Sequence, residues 1–184
     1  SPRFRVNDRL FMVYSFGYTE ESNRESFVAL QPNNIVFGNR NMHSVENSLK
    51  GTYNFSTKDA LSLSFRNFWS SASFAEGEFS RLVENGDLEP YAYEVTSEND
   101  PNANFNIWNL GLSYQWRFAP GSEMILLYRN SIFKLDDESD LMYLESLENL
   151  FEQPARHNLS LRIVYYLDYN NIKNVFKGQY CSTQ

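Results

Sequence analysis

Two histidines, one cysteine, a scatter of carboxylates and a recurring row of cations are the chemistry that the chain offers. His43 and His157 stand far apart, and Cys181 is alone near the C-terminus, where it can form no intrachain disulfide. No Gly-x-Ser-x-Gly elbow, metal-ligand cluster or Asp-x-Asp-x-Asp-Gly spacing occurs. Acid pairs that could cleave a glycoside can be drawn from the sequence, but among 23 Asp and Glu residues a pair carries little information. The expectation is therefore no catalysis, no metal and no cofactor. The cations are more orderly. Lys50, Arg66, Arg117, Arg129 and Arg162 fall on the polar positions of alternating segments, together with Glu46 and Asp168. Lining a watered lumen, they would select anionic solutes or acidic sugars. The favoured expectation is that they pair with Glu46, Asp168 and other wall residues and so stiffen or plug that lumen.

The elements that must position this row are strands. From Trp108 the residues Trp108, Leu110, Leu112, Tyr114, Trp116 and Phe118 share one parity, and Asn109, Gly111, Ser113, Gln115 and Arg117 share the other. The chain turns through Ala119-Pro120-Gly121-Ser122 and returns as Met124 to Phe133. Successive side chains of a strand point to opposite faces, so this hairpin has one apolar, aromatic face and one small, polar or cationic face. Arg129 is the least secure of the cations, because both faces of Met124 to Tyr128 are apolar. The same alternation marks Leu10 to Tyr18, Ser44 to Phe55 and Leu61 to Trp69, with Ser56-Thr57-Lys58-Asp59 as a reversal. It is cleanest in Leu159, Leu161, Ile163, Tyr165, Leu167 and Tyr169. Asn47 and Asn67 interrupt the apolar rows and are expected near a membrane surface.

Between these strands, Thr19 to Ser26 reads as a polar loop, followed by a small accessory hairpin broken at Gln31-Pro32-Asn33-Asn34. Residues 73–104 and Lys134 to Pro154 read as long acidic connections. In the second, Leu141, Leu144, Leu147 and Phe151 recur at intervals of three to four, the spacing of a short amphipathic helix packed at a barrel mouth. Binding of divalent cations by the acidic loops is conceivable, but solvated charge is the expectation.

Mean hydropathy is −0.52, and no apolar run approaches the roughly 20 residues of a membrane helix. A membrane β-barrel escapes that test, because only alternate residues face lipid. Aromatic residues make up 16% of the chain, a surplus suited to strands and interfacial girdles, and a net charge of −7 argues against nucleic acid. Three features separate a membrane barrel from a soluble one. Reversals of about four residues alternate with loops of roughly twenty to thirty, the asymmetry of outer-membrane proteins. Tyr53, Phe55, Trp69, Trp116, Phe118, Tyr165 and Tyr169 gather at strand ends, as a girdle would. The polar rows carry cations that would cost several kcal/mol if buried unpaired in a dry core.

Several segments carry a family resemblance: the turn in Arg5-Val6-Asn7-Asp8; Val36-Phe37-Gly38-Asn39-Arg40 with Ser44-Val45-Glu46-Asn47-Ser48-Leu49; Trp116-Arg117-Phe118-Ala119-Pro120-Gly121-Ser122; and Leu159-Ser160-Leu161 to Tyr165-Tyr166-Leu167-Asp168-Tyr169. Nearly the whole chain resembles the C-terminal barrel of outer-membrane proteins of unknown function from the Bacteroides and Flavobacterium lineage. In those proteins a carbohydrate-binding module of the family-9 type precedes the barrel. The resemblance implies a barrel lodged in the outer membrane, and it supplies no catalytic residues.

The sequence thus predicts an all-β, antiparallel transmembrane β-barrel of a Gram-negative bacterium, of which residues 1–169 form the C-terminal part and 170–184 a polar tail. About six spanning strands are expected, fewer than the roughly eight of the smallest barrels, with short periplasmic turns, long acidic outer loops and one loop helix. The start, Ser1-Pro2-Arg3, shows no initiator Met or signal region, so the chain is expected to be a piece of something longer. Leu49, Leu63, Leu110, Leu112, Leu161 and Ile163 are expected to face lipid. Expected partners are outer-membrane lipid and lipopolysaccharide, the barrel assembly machinery through the last strand, and other envelope proteins or glycans. The alternatives are a soluble lipocalin-like barrel with an apolar ligand inside and, less favoured, a surface glycan hydrolase.

Overall fold

A computed structural model describes residues 1–167, so Asp168, Tyr169, the expected polar tail and Cys181 lie outside the described residues. Alternation over most of the length produces one antiparallel sheet. Its strands are β1 (Arg3–Arg5), β2 (Leu10–Gln31), β3 (Asn34–Asn54), β4 (Asp59–Leu82), β5 (Leu88–Pro90), β6 (Ala103–Ala119), β7 (Ser122–Asp136) and β8 (Arg156–Val164), with one helix, α1 (Tyr143–Phe151). The order is β1-β2-β3-β4-β6-β7-β8, and β5 adds to β4 off this path. Six of the strands are long, as the alternation predicts. The sheet does not close: among the described residues β1 and β8 are its two edges.

Register fixes which side chains share a face, because directly opposed residues of antiparallel neighbours point the same way. One row runs Tyr53, Leu61, Tyr114 and Leu126 to Leu161, the next Gly51, Leu63, Leu112 and Tyr128 to Leu159, and the one after it Leu49, Phe65, Leu110 and Asn130 to His157. The opposite face carries Lys50, Ser64, Gly111, Arg129 and Asn158 in one row and Ser48, Arg66, Asn109, Ser131 and Arg156 in the next. The two parities seen separately in each segment therefore join into one apolar face and one polar face. From Trp108 to Trp116 the apolar band on β6 takes about nine residues, close to the roughly 9–11 that a tilted strand needs to cross a bilayer core.

Two expectations about the connections are corrected. Thr19 to Ser26 is not a loop with a separate hairpin beyond it: β2 has 22 residues and β3 has 21, and they pair almost without interruption up to Gln31 and Asn34. The pairing slips between Glu21 and Arg24, with Asn23 at φ 54°, and again between Phe27 and Ala29. A slip of that kind reverses the parity of everything beyond it. Likewise β4 runs for 24 residues to Leu82, so much of the expected connection 73–104 is strand. These strands are about twice the crossing length and project past the band.

The projecting end holds a packed apolar cluster. Val36, Phe79 and Tyr93 are buried there, with Val28, Ala29, Phe74 and Tyr91 against them. Phe79 presses on the backbone at Gly38, where an added Cβ would come within 2.9 Å of its ring. The reversals at the other end are short. Asn7 accepts two backbone N–H bonds, from Arg9 at 2.8 Å and Leu10 at 2.7 Å, and Gly121 takes φ +70° between β6 and β7.

Candidate functional site

Two basins among the described residues open on the polar face of the sheet. One, of about 670 Å³, has a floor of small groups from β4 and β6, Ser62, Ser64, Gly111 and Ser113, beneath the cations Arg66, Arg129 and Arg156. The other, of about 530 Å³, lies at the short-turn end and is lined by Arg9, Asn54, Lys58, Gln115 and Arg117. Apolar side chains share these walls with the cations and hydroxyls: Leu63, Leu110 and Leu127 also line the first basin, and Phe55, with the carboxylates Asp8 and Asp59, lines the second.

The expected row of cations separates into parts. Arg66 pairs with Glu46 at 2.9 Å across β3 and β4, as the stiffening alternative anticipates. Both side chains are about half exposed, so the pair is worth under about 1 kcal/mol. Arg129, the least secure assignment, stands opposite Gly111 on the polar face. Among the described residues no carboxylate lies within ion-pair distance of Lys50, Arg129, Arg156 or Arg162. Arg117 belongs to the turn instead: its guanidinium donates to the Thr57 carbonyl at 3.1 Å. Arg156 went unpredicted because it precedes the clean alternation of the last strand by three residues; β8 register brings it opposite Ser131 and into the basin.

On the apolar face, the predicted lipid-facing residues Leu49, Leu63, Leu110 and Leu112 are half-buried among their neighbours, and Leu161 and Ile163 on β8 are 58% and 60% exposed. Aromatic rings cluster at the short-turn end of the band. Tyr53 and Phe55 meet at 4.8 Å, Trp116 and Phe118 at 5.5 Å, and Phe118 stacks on Tyr165 at 6.2 Å. Trp69, expected in the same girdle, is covered instead. It is 6% exposed, its indole N–H donates to Asn104 Oδ1 at 3.0 Å, and its ring meets Tyr143 of α1.

What covers Trp69 also explains the two asparagines that interrupt the apolar rows. Asn67 is 1% exposed and sits under α1. It donates to Asn106 Oδ1 at 2.9 Å and to the Ile107 carbonyl at 3.1 Å, and accepts from the Tyr143 hydroxyl at 2.8 Å. Tyr143 in turn accepts from Asn47 at 3.0 Å, and Asn47 accepts from Tyr14 at 2.7 Å. On the other side Asn106 donates to Ser146 Oγ at 3.0 Å, and Ser146 donates to Asn104 Oδ1 at 3.1 Å. Asn104 then donates to the Glu138 carbonyl at 2.9 Å. Buried polar groups are costly unless paired, and this chain of bonds pairs those of β2, β3, β4 and β6 with α1 and the segment leading to it. Burial pushes the Tyr143 phenol above its ordinary 10.0, with the Asn47 bond acting the other way.

The helix therefore lies where its spacing predicts, but rotated. Its docked side is Tyr143, Ser146, Leu147 and Leu150, of which Ser146 and Leu150 are fully buried, while Leu144 is 72% and Phe151 51% exposed. Of the expected repeat Leu141, Leu144, Leu147 and Phe151, Leu144 turns away from the sheet. Ser146 and the Tyr143 hydroxyl face inward because asparagines lie beneath them.

His157 accepts or donates at 2.9 Å with the Tyr128 hydroxyl at the edge of the apolar face, away from the basin, and His43 lies near Tyr18. Among the described residues no group of three His, Cys, Asp or Glu side chains is placed to hold a metal. A family model described as a domain of unknown function (DUF5916) matches residues 1–176. No curated protein and no solved structure matches the chain.

Proposed function

We infer that this chain, which belongs to the family of domains of unknown function DUF5916, is part of the wall of an outer-membrane β-barrel whose polar face lines a watered interior and whose apolar face meets lipid. The observation that carries this reading is the sidedness of the basins. Both open on the face of Lys50, Arg66, Arg129 and Arg156, opposite the face of Leu49, Leu110 and Leu161. A soluble barrel that holds an apolar ligand needs the reverse, with its concavity on the apolar rows. The six long strands among the described residues fall short of the roughly eight of the smallest barrels, so closure takes further strands, from the protein or from a partner.

The role is transport, surface display or envelope assembly, with no chemistry contributed by this segment. The basic basin suits anionic solutes or acidic sugars, and the resemblance to barrels that follow a carbohydrate-binding module fits a task at the cell surface. Lipid and lipopolysaccharide are then the surroundings of the apolar band. The exposed β8 is the strand offered to the assembly machinery. The test is a pair of neighbouring substitutions in the full-length protein. Leu161→Arg puts a charge on the lipid side at a cost of roughly 2–4 kcal/mol near mid-membrane and blocks assembly, while Ser160→Arg on the lumen side is tolerated. Equal behaviour of the two variants removes the assignment of faces.

A further inference from the structure

We propose that α1 is an interfacial helix that seats in the headgroup layer of the outer leaflet, with Leu144 and Phe151 inserted and Glu145 turned to water. The inference rests on the membrane reading above and adds to it a second contact with lipid, made by a loop.

Three observations converge on this. The first is the divided apolar surface of the helix. Leu150 is fully buried and Leu147 half-buried against the sheet, beside Ser146 and the Tyr143 hydroxyl on the asparagine platform. Met142, Leu144 and Phe151 remain 75%, 72% and 51% exposed. Burial against its own sheet therefore does not account for this second apolar edge. The second is position. The platform of Asn47, Asn67 and Asn106 belongs to the apolar face and lies directly beyond the band of Leu49, Phe65 and Leu110. Buried amides with hydrogen bonds mark the level at which hydrocarbon ends. The third is continuity. Phe151 meets Trp108, the last aromatic residue of the β6 band, with ring centroids 5.0 Å apart, so the outward edge of the helix prolongs the apolar surface of the sheet.

The chemistry of the remaining residues agrees. The helix start is fixed within the chain, since Glu145 accepts the Met142 backbone N–H at 3.3 Å and the Ser146 N–H reaches the Met142 carbonyl at 2.9 Å. Glu145 is exposed and lies about 100° round the helix from Leu144, and a carboxylate side next to an apolar edge suits a helix that lies in an interface rather than spanning it. Its long-loop end of the sheet is the outer side of such barrels.

The experiment places a nitroxide label at Leu144→Cys, Glu145→Cys or Leu161→Cys in a Cys181→Ser background, in full-length protein reconstituted into vesicles of phosphatidylethanolamine and phosphatidylglycerol. Accessibility to oxygen, which concentrates in lipid, is compared with accessibility to a water-soluble nickel chelate. The proposal predicts an oxygen-to-nickel ratio several-fold higher at position 144 than at 145, and highest at 161. A ratio at 144 equal to that at 145, with 161 still shielded from nickel, overturns the interfacial helix and leaves the barrel standing. Nickel reaching position 161 as freely as 145 overturns the membrane reading itself, and the helix proposal with it.

Discussion

Replacing Asn67 with leucine separates two accounts of the same position by the sign of its effect. If Asn67 were a stray amide in a lipid-facing row, leucine would be an improvement, gaining up to the roughly 1.5–3 kcal/mol of a fully buried aliphatic side chain. The structure places it instead beneath α1 at 1% exposure, with three hydrogen bonds of 2.8–3.1 Å. Leucine removes all three. It leaves Asn106 Oδ1 without its donor in a residue that is 0% exposed, and the Tyr143 hydroxyl without an acceptor. A net loss of about 1 kcal/mol per bond, with about 1–3 kcal/mol for an orphaned buried partner, gives roughly 2–4 kcal/mol after the leucine's own gain is set against it. The loss falls on the docking of the helix rather than on the ladder, whose backbone bonds are untouched. Hydrogen exchange on the folded full-length protein in detergent is the assay: amides of Tyr143–Phe151 should exchange on the order of a hundredfold faster, while those of β6 and β7 hold. Unchanged or slower exchange in α1 would refute the reasoning, because the amide would then have been carrying nothing.

Other outcomes follow from single sites. Tyr143→Phe cuts the bond to Asn67 and should also loosen α1, by about 1 kcal/mol, read by proteolysis within 137–155. The Tyr143 phenol is raised above 10.0 by burial, so the clasp is at full strength below pH 10 and is lost as pH climbs through the higher folded value. Tyr18 and Tyr93 are raised as well, so the difference in absorbance near 295 nm between the parent protein and Tyr143→Phe isolates the Tyr143 ionisation, which should coincide with α1 release. Gly121→Ala strains a turn held at φ +70°, where the new Cβ would lie 3.0 Å from Tyr166, and should cost about 1 kcal/mol or more in chemical denaturation. Gly38→Ala forces Phe79 and Phe74 aside and should cost about 1–3 kcal/mol, measured the same way.

The faces of the sheet were legible in the sequence because a period of two is written directly in residue type. Trp108 to Phe118 and Leu159 to Leu167 state which neighbours share a side, and register then carries that statement across the strands. The length of β2 was hidden by its slip at Asn23. Charged Glu20, Glu21, Arg24 and Glu25 pair with β3 well past the band, and the parity break made one strand look like two elements. The position of α1 was legible from its three-to-four spacing, but not its orientation. The sequence rule assumes that only apolar residues dock, whereas this helix also docks Tyr143 and Ser146 on Asn47, Asn67 and Asn106, beside the buried Leu150. Arg156 could be placed in the basin only from the pairing of β8 with β7. The unexpected Asn residues in the apolar rows were the one signal that something polar had to lie on that face.

The most direct test of the central claim is the solubility and gel behaviour of the full-length protein after fractionation of the cell that makes it. The account predicts a protein in the outer membrane that stays dispersed only in detergent and runs faster on gels when left unheated. A protein that remains dispersed without detergent, and migrates identically before and after heating, would contradict it and turn the rows of Leu49, Leu110 and Leu161 inward around an apolar ligand.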